Sequence, residues 1–571
     1  MRYKHSKRVV IVFFLFLVVS AVFFLKLYSL QIIHGKDYRD AIDRRYLREE
    51  GSFDRGSIFM TDKTGKTWSV ATVREIYSVV LNPSVIAEPE KYADEIMKIF
   101  PDIDRQAVLA KALKTDSKYA VVAEDVGEEI AGKAEALKMP GLLVERKKKR
   151  FYPAKDLASR AVGFVGYENE KLVGRYGLER YYEDTLARTD KGLYNNFFKE
   201  ITLGIRDVVL KEKQISGDLV LSLDVSAQGE LEKILKDVQG KWQSSLSGGI
   251  VMNPQNGEIL ALSAAPTYDL NNFSKEQDAS VFANPLVEGV YELGSIIKPL
   301  TVAMGLDAGI IKASTTYKDE GSLTLQGRTI SNFDKKGRGV INMQEVLNQS
   351  LNTGAAFIAL KLGKEKTLEY FLKFGLADET GIDLPAESAG NLLNLKNGRE
   401  LEVATASFGQ GIAMTPIEVV RALASLANGG VMVEPHLVRE VKYQIGISKK
   451  THADNADRPR VISEEASREV SRMLTEVVDK ALLEGKYKME RYSVAAKTGT
   501  AQIAKADERG YYDDRYLHSF FGYFPATDPK ILIFLYTIEP KGANYASHTL
   551  TEPFMDLTKF LINYYEIPPD R

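Results

Sequence analysis

Ser295 and Lys298 stand three positions apart in Ser295-Ile296-Ile297-Lys298. A hydroxyl and an amine at that spacing can form an acyl-transfer nucleophile without histidine. A serine hydroxyl is a poor nucleophile at neutral pH and needs a base within hydrogen-bond reach. If Ser295 opens a helix, position i+3 lies on the same face one turn on and brings the amine beside the hydroxyl. Gly294 permits a tight lead into that turn, Pro299 falls at or just past the first turn, where it costs little helix bonding, and Gly309 closes the helix. A lysine works as a base only when neutral, which requires burial or a nearby positive charge. Lys497, in Lys497-Thr498-Gly499-Thr500, can supply that charge.

Between these motifs lies Ser350-Leu351-Asn352. On an extended or loop segment two residues that far apart can point into one cleft. Ser350 suits proton relay to a leaving amine, and Asn352, with an amide donor and acceptor, suits holding Lys298 and a peptide carbonyl. Lys497, Thr498, Gly499 and Thr500 on a strand would bind a terminal carboxylate while the strand backbone runs alongside a peptide. The developing oxyanion needs two aimed N–H donors, for which the backbones of Ser295 and Thr500 are the candidates. Each motif alone is weak. A Ser-x-x-Lys is also a helix N-cap followed by a solvated lysine, Ser350-Leu351-Asn352 is also a polar turn, and Lys497-Thr498-Gly499-Thr500 is also a strand-to-turn boundary. Their order within one α/β region carries the reading.

The elements that must position these residues are legible in outline. A chain of 571 residues predicts two or more folded units. Lys and Arg number 76 against 77 Asp and Glu, which gives no sign of a nucleic-acid surface. No cysteine is present, so disulfides, zinc–thiolate sites and thiol nucleophiles are excluded. His436, His518 and His548 lack ligand spacing and read as structural or surface residues. Val9 to Leu25 is an apolar run of about the minimum spanning length, extended by Leu27 to Ile33, and Arg2, Lys4, Lys7 and Arg8 precede it. That pattern predicts one uncleaved anchor, N-terminus cytoplasmic, with the rest of the chain outside. Pro89 to Leu137 carries charged stretches of helical period. From Leu219 onward the texture becomes that of a compact α/β domain. Gly249–Met252 and Ile259–Leu262 flank a turn, and His518–Phe524 and Ile531–Ile538 flank Asp528-Pro529, predicting two hairpins. Ser493–Ala496 runs into the lysine motif, which places Lys497 on a strand at the edge of a cleft. Thr415–Asn428 and Ser463–Leu483 have helical periodicity and should flank that sheet.

On these residues the chain resembles, over nearly its whole length, the class B penicillin-binding proteins, monofunctional D,D-transpeptidases of bacterial cell-wall synthesis. The three motifs are those of penicillin-binding proteins and class A β-lactamases. Arg55-Gly56-Ser57-Ile58 with Asp62 and Gly65, Arg150-Phe151-Tyr152-Pro153 and Gly177-Leu178-Glu179 resemble the boxes of the family's pedestal module. Asn256–Ala261, Gly409-Gln410-Gly411 with Thr415-Pro416, and Asn428-Gly429-Gly430 match its catalytic domain. Leu293 stands where the family usually has proline, and Asp62 is followed by Lys63-Thr64 in place of Arg-Asn.

The resemblance implies an α/β (α+β), penicillin-binding/β-lactamase-like transpeptidase domain, its antiparallel sheet flanked by helices, at 219–571. An elongated mixed pedestal at 34–218, a transmembrane helix at 9–33 and a cytoplasmic tail at 1–8 would precede it. It further implies that Ser295 attacks the penultimate D-alanine of a stem pentapeptide, releases the terminal D-alanine and passes the acyl group to a neighbouring stem's amine. β-Lactams would acylate Ser295 as mimics. The implied partners are peptidoglycan stem peptides on lipid-linked nascent glycan, a glycan polymerase of the shape-elongation-division-sporulation (SEDS) family and division-complex membrane proteins; no cofactor, metal or nucleic acid is implied. Glu292–Ser295 and His518–Ala526 look more like the septal branch than the elongation branch. The rivals are a β-lactamase, which needs neither anchor nor pedestal, a β-lactam sensor, which needs cytoplasmic machinery, and a division scaffold with dispensable chemistry. A histidine-dependent hydrolase lacks its Gly-x-Ser-x-Gly elbow here. Arg146–Arg150 reads as a solvated charged face, and the Tyr181-Tyr182 and Phe197-Phe198 pairs as core or interface.

Overall fold

The computed structural model describes residues 53–169, 171–188, 216–444, 448–451, 458–505 and 510–571. The anchor expected at 9–33 and the Phe197-Phe198 pair lie outside the described residues. Among those described, no helix is long and apolar enough to cross a membrane. Contacts divide the described residues into two compact units, one holding 53–54 and 75–149, the other 55–74 and the described residues from 150 onward.

In the smaller unit the second half of strand Thr67–Leu81 pairs antiparallel with Ala120–Val126, and Leu142–Phe151 also pairs with Thr67–Leu81. Helices Pro89–Ile99, Arg105–Ala112 and Glu128–Ala136 cover them. Val79, Leu81, Tyr92, Ile96, Val108 and Val122 form the core. The helical stretch expected from Pro89 to Leu137 is therefore interrupted by a strand, at Ala120-Val121-Val122, where β-branched residues outweigh helix periodicity.

In the larger unit the sequence's solvated charge run ends differently from expectation. Lys147 and Lys149 are exposed, whereas Arg150 is buried. Its Nε donates to Glu179 Oε1 at 2.6 Å, while Arg55 Nε donates to Glu179 Oε2 at 2.5 Å. Arg150 Nη1 also donates to the Gly56 carbonyl and Arg55 Nη2 to Glu183 Oε2, each at 2.7 Å. The Glu179 carboxylate thus bridges two buried guanidiniums, with Glu183 as the second counter-charge on Arg55, and that pairing draws residues 55–56, 150 and 179–183 into one core.

The catalytic sheet has five antiparallel strands in the order Ala495–Ala504, Tyr511–Phe524, Ile531–Ile538, Leu246–Met252 and Ile259–Ala265. Both expected hairpins are present, and the strand carrying Lys497, here the lysine strand, is at the edge. Alternation along Tyr511–Phe524 sends Phe520 and Phe524 to one face and Phe521 and Tyr523 to the other. Helices Val225–Trp242 and Thr551–Tyr564 cover the first face with Leu231, Leu235, Phe554 and Leu561. The second face meets the helical layer built from Lys298–Asp307, Pro416–Ala427 and Glu464–Glu476. Pro416–Ala427 is buried at every residue and is capped by the reciprocal Thr415–Glu418 pair with Pro416 in its first turn.

Glu179→Ala would leave Arg150 without its carboxylate and Arg55 with Glu183 alone in a dry core, and is expected to destabilise this unit by about 3–5 kcal/mol. Thermal unfolding reads this directly. Lys63→Ala, which removes the exposed Lys63–Glu566 pair, should leave the midpoint nearly unchanged.

Candidate active site

The serine turn is fixed from three sides. Residues Gly294–Ile297 form a single tight turn that continues into helix Lys298–Asp307, with Pro299 in its first turn. Gly294 has φ +67° and donates its N–H to the Gly409 carbonyl at 3.3 Å. Ser519 Oγ donates to the Leu293 carbonyl at 2.9 Å, and Thr301 Oγ1 to the Ser407 carbonyl at 2.7 Å. The lysine strand runs against the turn so closely that a Cβ on Gly499 would lie 2.6 Å from the Leu293 oxygen and would collide with Ser519 Oγ. Gly499 therefore faces the serine turn and serves the site by letting two backbones meet. Leu293 is fully buried at the position where the family usually has proline.

Lys298 is wholly buried, and its Nζ donates to the Ser350 carbonyl at 2.5 Å and to Ser350 Oγ at 3.2 Å. Lys497 Nζ donates to the same Ser350 Oγ at 2.9 Å and to the Thr498 carbonyl at 3.1 Å. The i+3 spacing thus brings Lys298 into the pocket, where the amine donates to Ser350. Ser350 adopts φ +54°, a left-handed backbone that non-glycine residues adopt at a cost. That turn makes Leu351 the N-cap of helix Asn352–Leu362. Asn352 is consequently the first residue of a helix, while Ser350 lies on the turn before it, where an extended or loop segment is expected for both. The Asn352 amide nitrogen donates to the Ser331 carbonyl at 2.8 Å.

Burial and the neighbouring Lys497 push the Lys298 amine well below the ordinary lysine range. Burial lowers Lys497 to about 7. A neutral Lys298 has a lone pair to offer a hydroxyl, and a charged Lys497 has protons to donate to one.

Ser295, Ser350, Asn352, Lys497, Thr498 and Thr500 line one cleft of about 1750 Å³. The carbonyl of Thr500 faces the serine turn, since a Cβ on Gly294 would lie 2.9 Å from it. In an antiparallel pair a residue directs its N–H and C=O to the same side. The Thr500 N–H therefore also projects toward Ser295, off the sheet edge. Among the described residues no cluster of His, Asp and Glu could hold a metal ion.

A buried network that the motifs did not announce holds the start of the asparagine helix. Asp319 accepts from Thr353 Oγ1 at 2.8 Å, from Asn332 Nδ2 at 3.0 Å and from the Gly321 and Arg338 backbones at 3.0 Å each. Asn332 Oδ1 in turn accepts from the Thr353 N–H at 3.3 Å. Asp319 and Asn332 lie well upstream of Ser350 in the chain, and no short motif of the sequence marks them.

Residues 248–559 match the family model of the penicillin-binding protein transpeptidase domain, and 53–197 that of the penicillin-binding protein dimerisation domain. This chain belongs to the class B penicillin-binding proteins. Stage V sporulation protein D of Bacillus subtilis is 30% identical over 88% of the chain and 77% of its own length. The peptidoglycan D,D-transpeptidase FtsI of Buchnera aphidicola (Schizaphis graminum) is 26% identical over 98% and 94%. Among solved structures, penicillin-binding protein 2X of Streptococcus thermophilus superposes with TM-score 0.73 at 20% identity, covering 91% of this chain and 81% of that one. Penicillin-binding protein 3 of Mycobacterium tuberculosis, complexed with aztreonam, does so with TM-score 0.68 at 22% identity, covering 91% and 98%.

In this penicillin-binding protein the depressed Lys497 is a stability cost with a definite sign. The unfolded chain binds a proton below about 10.5 and the folded chain below about 7, so stability falls as pH drops through that window and levels off beneath it. Lys497→Met should therefore gain stability over the native chain, and more at pH 7 than at pH 9, by thermal denaturation. A gain independent of pH would contradict the assignment.

Proposed function

We propose that this protein is a peptidoglycan D,D-transpeptidase of the division septum, working through an acyl-enzyme on Ser295. The observation that carries the mechanism is the Ser350 hydroxyl within hydrogen-bond distance of two buried amines, beside Ser295 in one cleft. Ser295 Oγ attacks the penultimate D-alanine carbonyl as its proton passes to neutral Lys298. The N–H groups of Ser295 and Thr500 receive the oxyanion, and each such donor is worth on the order of a hundredfold or more in rate. Lys497, Thr498 and Thr500 hold the terminal carboxylate. The proton on Lys298 then moves through Ser350 to the departing D-alanine nitrogen. An acceptor amine attacks the Ser295 ester, its proton returns along the same path, and Ser295 leaves with the cross-link formed. Asn352, fixed through its amide nitrogen, orients the donor peptide.

The septal assignment rests on Glu292–Ser295 and His518–Ala526, and several of the relatives carry the name FtsI. The apolar run 9–33 behind its basic tail supports a single-pass protein of the bacterial plasma membrane with its catalytic domain outside. A SEDS-family polymerase and the division complex's membrane proteins are its proposed partners.

The test is fluorescent penicillin on the full chain in detergent, beside Ser295→Ala. A lasting adduct absent from the variant is expected. Rapid turnover would mark a β-lactamase, and absence of labelling a scaffold. The acylation rate should be bell-shaped in pH, rising as Lys298 loses its proton and falling as Lys497 does. The alkaline limb sits near 7 for acylation efficiency, which reports the free enzyme. It should move upward in the saturated rate, because a bound carboxylate stabilises charged Lys497. An alkaline limb that stays fixed would remove Lys497 from carboxylate binding.

A further inference from the structure

His518 lies directly opposite Thr500 in the pairing of the lysine strand with Tyr511–Phe524. It is fully buried, and an imidazole without work to do in such a place is costly, since a leucine would fill the space without polar atoms to satisfy. Its Nδ1 is 3.0 Å from Thr549 Oγ1. Thr549, itself buried, can donate its hydroxyl proton to the Ala546 carbonyl at 3.3 Å, and in the Nδ1–H tautomer of His518 its oxygen then accepts from the imidazole. The N–H of Ala546 donates to Thr500 Oγ1 at 3.1 Å. Contacts therefore lead from a core histidine to a hydroxyl of the lysine strand by way of Ala546 in the cleft wall, whose carbonyl and N–H belong to successive peptide groups and are linked by position through its Cα. The wall residues Asn544–Ser547 line the same cleft as Thr500.

The polarity of these contacts matters. With a lone pair of Thr500 Oγ1 taken by the Ala546 N–H, the hydroxyl proton must turn away from Ala546. Thr500 is half-buried on the cleft side, so the proton is offered to whatever occupies the cleft. We propose that His518, by holding Thr549 and through it the backbone of Ala546 in place, is a positioning residue that fixes the Thr500 hydroxyl toward the carboxylate end of the donor peptide and so sets the preference for donors ending in a free carboxylate. This rests on the reading of Thr500 as a carboxylate donor. Burial holds the His518 imidazole down at about 4, so these contacts keep one polarity throughout the neutral range.

The test compares two soluble N-acyl-D-alanyl thioesters, one with thioglycolate as leaving group and one with that carboxylate converted to its primary amide. Released thiol reports the rate, and the chain has no cysteine to interfere. His518→Leu and Thr549→Val are each expected to lower the acid-over-amide preference in kcat/KM by about tenfold, the scale of one hydrogen bond to a charged group. The amide rate should stay unchanged, and the double variant should lose no more than either single one. His518→Asn, which can still donate near the Nδ1 position, should recover part of the preference. Thr549→Val removes one hydroxyl at nearly constant volume and decides the matter if His518→Leu fails to fold. An equal loss on both thioesters would mark a purely structural histidine and overturn the proposal. So would an unchanged preference while Thr500→Val abolishes it. If Thr500→Val itself leaves the preference intact, the carboxylate reading falls, and the proposal with it.

Discussion

Two amines share one hydroxyl. Lys298 and Lys497 both reach Ser350 Oγ inside a dry pocket, and both cannot remain charged there at low cost. The conflict keeps Lys298 neutral, which makes it usable as a base. The ordinary lysine pKa lies about three units above neutrality, so a catalytic lysine must be forced out of its charged state by its surroundings. Here the force is burial assisted by a second ammonium. Nearly everything else in the catalytic unit can be read as the means of holding those three groups together without water.

The left-handed Ser350 could relax if its flanks were free. Asp319 and Asn332 prevent that by fixing Thr353 at the start of the following helix, and Arg338 adds a bond from its Nε to Gln349 at 3.0 Å on the other side. Lys497 is held differently, by a strand whose outer edge is left unpaired with any other described strand. Open edges invite aggregation and are usually blunted. This one is instead closed off in part by the serine turn, pressed against Gly499. What remains of the edge, from Thr500 outward, has its N–H and C=O aimed at the cleft, the arrangement by which a peptide is added to a sheet.

Much of this is legible in the sequence, for identifiable reasons. Hairpins and flanking helices follow from local periodicity and turn residues, and they occur where Ile259–Leu262, His518–Phe524 and Thr415–Asn428 indicate. The motifs announce which side chains meet, because catalysis constrains residue type more tightly than packing does. The failures share a cause in long-range contact. Asn352 reads as extended because nothing local shows that Ser350 will turn left-handed. Arg150 reads as solvated because its partner Glu179 is distant in sequence. Ser350 reaches Lys298 from another element, a contact that the local spacing of Ser295 and Lys298 does not announce. Residues near 55 and 150 likewise meet only in three dimensions, through their shared carboxylate.

A lysine base has consequences that a histidine base would not. Imidazole titrates near neutrality even when exposed to water, so a histidine-based site can lie in an open loop. Lysine needs a desolvated seat, and desolvation must be built from neighbouring elements, here the serine helix, the asparagine helix and the sheet edge. The substrate's carboxylate, however, has to reach Lys497 from solvent. The site must therefore be dry at Lys298 and open at Thr498 and Thr500, and this structure separates the two. Ile296 and Ile297, both fully buried, lead directly into Lys298 at the dry end, while Thr498 and Thr500 stay half-buried at the cleft. Side chains alternate across the strand, so Lys497 can point into the dry seat while its two threonine neighbours face the other way and still border the opening. The Lys-Thr-Gly-Thr order is thus the alternation of a strand put to use, with glycine where the backbone must touch the nucleophile's turn.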